Sequence, residues 1–567
     1  MTETADQGAV ADRGAVAARW DDAILRGFGR LLANRGVWLA LVAATAFGAL
    51  LRYLTALINH DTAWYLDATA RWLAGGVLYR DIIEVNPPLA FFLTVPPVAV
   101  ARAGDLFPVP IYVVYVFLLI ALSLLLAWRL SRAWPDEDGV LLRRGLILAG
   151  LLALSFRTAG DFGQREHLMM IFVFPYLILV ALRAARLDCA PALAIATGAL
   201  ATLGFGLKPY FLLVPAVLEA YLLLRTHALR RAFRPETLTL GIGLVAYLGV
   251  IAVATPDYLT TIVPFAREVY WGYETELWIL LLRAKLAMLC LLLLGWFYLS
   301  KRKQIASRQL TDVFCLAALS FLAIYFVQSK GWYYHLYPAV AAVFLAAGAL
   351  LLVAVGSRAR TAAPSGPLAR RGTGLFLALM ASLLLFDAQV IRGSYSNPFM
   401  QAAEPVVREH AVGSPIYTMS AHVVLPYPLV TYTGARSVSR FAGLWLIPGL
   451  VRKQAEIDGH SGNGAPTALQ RSIGQYLRDA VVADLRRDPP TLIIVDVRQR
   501  KTYFGDLDFD YIEYFSVDPR FVEIWSDYEL LTTFPGHQVF KRRSASPDGV
   551  DMSDRQPRRT TLRQKEP

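Results

Sequence analysis

Apolar runs of about 17 to 25 residues recur along this chain, the length an α-helix needs to cross the hydrocarbon core of a bilayer. They fall at 35–57, 109–128, 145–156, 168–186, 192–207, 209–225, 237–255, 278–300, 311–327, 334–356 and 373–391. Inside hydrocarbon every backbone N–H and C=O must find its partner within the protein, which leaves helices and closed barrels. Runs this long and this uniformly apolar select helices. The predicted fold class is a polytopic α-helical membrane protein with about eleven transmembrane helices by the hydropathy criterion. The run at 145–156 is short unless its helix begins further back.

Charge supports this class and excludes another. Only 18% of the 567 residues are charged, against roughly 25% in an average soluble chain. A net charge of +12 would suit nucleic acid, but most of the basic residues sit in short loops between the runs. That is the positive-inside pattern, which reports orientation and names no partner; no nucleic-acid partner is expected. The cysteines, Cys189, Cys290 and Cys315, lie in or beside predicted spans without metal-ligand spacing, so neither a disulfide framework nor a cysteine zinc site is expected. Neither a phosphate-binding P-loop nor a dinucleotide fingerprint is present, nor a HExxH or GxSxG motif.

The segment 88–104 is apolar but interrupted by Pro96-Pro97, and reads as a re-entrant or interfacial piece covered by protein. With it not crossing, the basic clusters around Arg129–Arg144, Arg183–Arg186, Arg225–Arg234, Lys301–Arg308 and Arg358–Arg371 all face the cytoplasm. The loops 58–108, 157–167, 207–209, 256–277 and 328–333 then share the outer face with everything after about 392. Residues 1–34 form a cytoplasmic tail and an interfacial amphipathic helix over 19–33, and the first run is an uncleaved span; 35–391 is the membrane domain. Over 392–542, Gly and Pro punctuate short β-prone runs such as Pro415–Thr418, Thr491–Asp496 and Gln538–Phe540 around a helical stretch at 468–487. That alternation predicts a small extracytoplasmic α/β domain. The basic tail 543–567 has a disordered composition.

Chemistry-bearing residues gather in the outer loops. Directly after the first run stands His60-Asp61-Thr62-Ala63-Trp64-Tyr65. Asp61 and Tyr65 share one helix face, and a carboxylate beside lipid marks function by default; the competing reading makes Asp61 a helix N-cap. Glu84 is a second acid of this loop, while Asp67 and Arg71 read as an i,i+4 ion pair. The second loop, Arg157 through His167, offers Asp161, Glu166 and His167 as ligands for a divalent metal and Arg165 for phosphate oxygens, or is an interfacial loop with compensated charge. Lys208 is either a phosphate-binding cation or a snorkelling lysine. Around Lys330 and His335, Tyr333 and Tyr334 line a site or form an interfacial belt.

These residues resemble the polyprenyl-phosphate-sugar-dependent GT-C glycosyltransferases, above all the bacterial branch related to protein O-mannosyltransferases and lipid A aminoarabinose or galacturonic acid transferases. The likeness rests on Asp61 and Tyr65 after the first span, Gly75-Gly76, Tyr79 and Asp81, and the closure Pro87-Pro88-Leu89. The cluster Asp161–His167 and the motif Tyr333–Pro338 complete it. Two positions depart: Asn86 stands where some relatives carry lysine, and Asp61-Thr62 where many carry two acids.

The resemblance implies an inverting transfer of a sugar from a polyprenyl-phosphate donor to a hydroxyl acceptor on a lipid, glycan or protein. The reaction would take place at the outer face of a bacterial cytoplasmic membrane. Asp61 would be the base with Tyr65 beside it. Arg165, Lys208, Lys330 and His335 would meet the donor phosphate, and a divalent metal at Asp161, Glu166 and His167 could replace part of that charge. Membrane lipids surround the spans, and the C-terminal domain would cover the site. The competing functions are a transporter or flippase of lipid-linked saccharides and a polysaccharide polymerase or ligase.

Overall fold

The computed structural model describes residues 23–227, 232–301, 308–360, 373–386, 393–459 and 465–543. Residues 1–22 of the expected N-terminal tail, the end of the last apolar run and residues 544–567 of the basic tail lie outside them. Residues 23–33 are helical, the part of the interfacial helix that falls inside.

Among the described residues nine helices are long and apolar enough to cross a membrane: Arg35–Thr55, Pro108–Ser131, Gly139–Phe156, Arg165–Ala184, Pro209–Thr226, Pro235–Ala254, Leu277–Ser300, Arg308–Gln328 and Tyr333–Gly356. Of the eleven runs read from the sequence, these account for nine. The two remaining runs are helical over Pro191–Phe205 and, within the described residues, over Gly374–Leu385. The first has 15 residues and rises only about 22 Å at 1.5 Å per residue, less than a hydrocarbon core of about 30 Å. The short run at 145–156 does belong to a longer helix, which begins earlier and closes through a π-helical turn, Leu152–Phe156, just before the second outer loop.

Arg165–Ala184 is buried along almost its whole length, and Tyr333–Gly356 packs beside it, also largely buried. These two helices are the axis of the bundle. Pro235–Ala254 lies at its rim, with Ile242, Val245 and Val253 exposed, as an apolar lipid-facing surface requires. The Leu89–Ala103 helix contains Pro96 and Pro97 and packs against His60–Leu73 and Pro108–Ser131. At 15 residues it too is shorter than an upright span.

After residue 392 the chain folds into a five-stranded mixed sheet: β1 (Pro415–Met419), β2 (Arg436–Ser437), β3 (Leu492–Asp496), β4 (Tyr528–Phe534) and β5 (His537–Arg542), in the order β2-β1-β3-β5-β4. β1 pairs parallel with β2 and β3, setting Ile416 opposite Leu492, and β5 runs antiparallel to β3 and β4. Every residue of β3 is buried, as a Leu-Ile-Ile-Val run covered on both faces predicts. The Ala468–Arg487 helix opens on a capping box between Thr467 and Gln470.

This domain sits on the segments 58–108 and 256–277 and is tied to them by hydrogen bonds. Ile83 N donates to Arg440 O at 2.7 Å, Arg71 Nη1 to Ser439 O at 2.9 Å, and Tyr273 Oη to Ala421 O at 2.8 Å. Tyr427 Oη donates to Asp67 Oδ2 at 2.8 Å. The Asp67–Arg71 pair is present at 3.8 Å and holds this junction.

Candidate active site

The His60–Leu73 helix starts where the sequence places it, but its N-cap is Asn59. The Asn59 side chain accepts from Asp61 N at 2.9 Å. Asp61 is thereby released from capping and stands in the first helical turn, where the helix dipole favours a negative charge. Its Oδ2 lies 3.4 Å from Arg165 Nη2. The carboxylate faces a cavity of about 640 Å³ between the membrane bundle and the C-terminal domain.

Arg165 is the first residue of the central helix. The turn before it depends on Gly163, whose φ of +80° puts it in the left-handed region and whose Cβ, if present, would meet the Tyr112 ring at 2.5 Å. Tyr112 Oη donates to Gly163 O at 2.6 Å and locks that turn. From this anchor Arg165 Nη1 donates to Tyr65 Oη at 2.7 Å and stands 3.6 Å from Glu84 Oε1. Glu84 is itself fixed: Trp64 Nε1 donates to its Oε2 at 2.8 Å, and Asn86 donates to its Oε1 through both backbone and side chain at 3.0 and 2.5 Å. One guanidinium therefore serves two carboxylates and a phenol. The buried Arg165 Nε has no hydrogen-bond partner.

Asp161 lines the same cavity. Burial, and then the neighbouring Glu166 carboxylate, push its pKa up to about 7. His60 and His422 also line the cavity, and burial lowers both to about 3, so both rings are neutral at physiological pH. Tyr333 and Tyr334 contribute to its wall.

Three of the cations expected at the phosphate lie elsewhere. Lys208 Nζ is buried, 2.5 Å from Glu166 Oε1, 3.4 Å from Gln328 Oε1 and 3.1 Å from His335 Nε2. It lies 5.5 Å from the centroid of the Tyr334 ring, and neither Lys208 nor His335 lines the cavity. A buried lysine needs a counter-charge within reach, and Glu166 supplies it. Lys330 Nζ donates to Tyr270 O at 2.7 Å, also off the cavity. Of the four, Arg165 alone lines it.

The expected metal ligands do not fit together either. His167 uses Nδ1 to accept from Gly163 N at 2.9 Å, and Nε2 lies 2.6 Å from Leu154 O. Glu166 is committed to Lys208. Among the described residues no three His, Cys, Asp or Glu side chains gather as metal ligands.

Sequence reasoning missed Arg283, Tyr395, His422 and Tyr503, all on the cavity wall. Arg283 had a signal, being an ionisable residue within an apolar span; it donates to Gly331 O and lies 5.2 Å from the Tyr333 ring centroid. Tyr395, His422 and Tyr503 had none, because only the docking of the C-terminal domain brings them over Asp61.

No protein-family model and no curated protein matches the chain. Solved structures do. ArnT from Cupriavidus metallidurans bound to undecaprenyl phosphate superposes with a TM-score of 0.51 at 13% identity, over 91% of this chain and 100% of that one. The Archaeoglobus fulgidus oligosaccharyltransferase in complex with Zn and sulfate follows with a TM-score of 0.44 at 13% identity, over 86% of this chain and 71% of that one. The superposition on ArnT covers most of this chain and all of that one, so this chain shares the fold of ArnT.

Proposed function

We propose that this protein transfers a sugar, with inversion, from a polyprenyl-phosphate donor to a hydroxyl acceptor at the outer face of a bacterial cytoplasmic membrane. The observation that carries the reading is Asp61: a carboxylate released from capping by Asn59, held by Arg165, and open to a cavity roofed by a second domain. A transporter would place its charges near the bilayer midplane, in broken helices related by repeats. Here the charges of the cavity come from loops and from the first two turns of helices at one end of the bundle. The shared fold with ArnT, itself crystallised with undecaprenyl phosphate, supports a lipid-phosphate donor.

In this reading the acceptor hydroxyl hydrogen-bonds to Asp61, and its oxygen attacks the anomeric carbon as the bond to the phosphate oxygen breaks. The proton passes to Asp61, which must be within hydrogen-bond reach of it. The electron pair leaves with the polyprenyl phosphate, whose growing charge needs cations already in place. Arg165 and Arg283 are the cations available on the wall. Arg165 is preorganised by Tyr65, Asp61 and Glu84, so it costs no reorganisation at the moment of transfer.

The test is transfer from a synthetic polyprenyl-phosphate sugar by the full-length protein in phospholipid nanodiscs. The wild type is expected to transfer, and Asp61→Asn to lose about 10² to 10⁴ of the rate. Full activity in a stably folded Asp61→Asn variant would remove the proposed base.

A further inference from the structure

The cavity is selective in its aromatic residues. Seven tyrosines and three tryptophans line it and, among the described residues, no phenylalanine does. Phenylalanine is nonetheless the commonest aromatic of the chain, with 29 copies against 26 Tyr and 12 Trp. Tyrosine and tryptophan pair an apolar ring with a hydrogen-bonding group, whereas phenylalanine supplies the ring alone. A cavity built for an acyl or prenyl chain has no use for that distinction. A ligand with apolar C–H faces and a fringe of hydroxyls, which is a sugar ring, uses both halves. An interfacial belt does not explain the choice, since a belt faces lipid and these side chains line a cavity beside Asp61 beneath the C-terminal domain.

The roof is the most specialised part of this wall. Tyr503 holds a φ of +80°, a conformation uncommon for a non-glycine residue and found where surrounding structure enforces it, often at functional sites. Its hydroxyl accepts from Trp332 Nε1 at 3.2 Å and lies 3.5 Å from His422 Nε2. Its ring stacks on His422 with centroids 5.5 Å apart and planes 27° apart. Tyr503 thus joins the C-terminal domain to the loop that precedes the Tyr333 helix, and keeps part of its surface open. His60, on the helix of Asp61, reaches within 6.2 Å of His422, centroid to centroid. Both imidazoles are neutral, which suits hydrogen bonding to uncharged hydroxyls.

We infer that the acceptor is a carbohydrate, bound against Tyr503, His422 and Trp332 so that one of its own hydroxyls meets Asp61, and that a peptide serine or threonine is not the acceptor. The inference rests on the glycosyltransferase reading and narrows its acceptor. The sugar can belong to a free glycan or to a glycolipid headgroup, both of which present the same ring.

Binding tests this without requiring turnover. Full-length protein in phospholipid nanodiscs, free of sugar detergents, is titrated with gluco-, manno- and galacto-configured disaccharides, and with a Ser/Thr-containing tetrapeptide. Saturation-transfer NMR reads contact in each case. At least one disaccharide is expected to receive saturation, and Tyr503→Ala to weaken it about tenfold, as loss of one aromatic stacking partner of roughly 1.4 kcal/mol does. The tetrapeptide is expected to receive none. Tighter binding of the matching alkyl disaccharide assigns the headgroup, and equal binding assigns the free glycan. Saturation of the peptide, or of no disaccharide, in the wild type would overturn the inference whether or not Tyr503→Ala folds. Loss of transfer in Asp61→Asn is a separate measurement, so either proposal can fail alone.

Discussion

A single guanidinium holding two carboxylates makes Arg165 the residue on which the site's geometry depends. Its fork reaches Asp61 and Glu84 from different nitrogens while donating to Tyr65. A lysine offers one point charge with no fork. Arg165→Lys should therefore lower transfer about 10²-fold while leaving binding of a free disaccharide within twofold; an activity within threefold of wild type would refute the role given to the fork. Asp161 makes a separate prediction, about pH. Its folded-state pKa is raised to about 7, by burial and by Glu166, from an ordinary value near 4. Between about pH 4 and 7 the folded chain therefore holds a proton that the unfolded chain has lost, and stability falls as pH rises through that window. Asp161→Asn should raise the thermal midpoint at pH 8 and leave it nearly unchanged at pH 4. A midpoint shifted equally at both values would show that Asp161 ionises as an ordinary carboxylate.

At the scale of elements, the roof stays registered over the cavity because two backbones meet there without side chains. A Cβ on Gly449, in the Ile447–Gly459 helix, would collide with the backbone of Val269, and one on Gly272 with the backbone of Pro448 and Gly449. Backbone cannot step aside as a flexible side chain can. Gly449→Ala should loosen this seam, costing about 1 to 3 kcal/mol by the usual penalty of overpacking. Faster limited proteolysis of the linker around 393–397 would report it; an unchanged cleavage rate would count against the seam.

These elements differ in how readable they were. The Ala468–Arg487 helix and β3 match the expected stretches almost residue for residue, because capping and apolar periodicity are local signals. The spans were equally plain, except where a short run such as Pro191–Phe205 has the hydropathy of a span without its length. Within the site, Asp61, Tyr65, Glu84 and Asp161 were visible as polar residues beside apolar runs. Lys208 and His335 carried the same local signal, yet they are turned into a buried cluster with Glu166. Loop position cannot tell a cavity-facing cation from one compensated within the protein, and Tyr503 becomes a wall residue only through tertiary contact.

At the scale of the molecule, two opposite ends divide the work. The cavity end carries the first and second loops and the whole domain after residue 392. The other end carries, among the described residues, the basic loops around Arg129–Arg144, Arg183–Arg186 and Arg225–Arg234, where several arginines are paired: Arg183 with Glu236 at 2.9 Å, Arg234 with Glu219 at 2.5 Å. Paired or not, the basic residues of that end would orient it toward the cytoplasm, since the rule counts basic residues rather than net charge. In the proposed orientation the roof lies outside, where no nucleotide sugar is available and a lipid-linked donor is the reasonable source. Orientation is therefore a premise of the chemistry and can be measured by itself. In a background with Cys189, Cys290 and Cys315 replaced by alanine, Val517→Cys puts a thiol on a residue 75% exposed in the C-terminal domain. Arg132→Cys puts one at the basic end, on an exposed residue. In spheroplasts a membrane-impermeant maleimide should label position 517 at once and position 132 only after permeabilisation. The reverse pattern would place the cavity in the cytosol and end the case for a lipid-phosphate donor at the outer face.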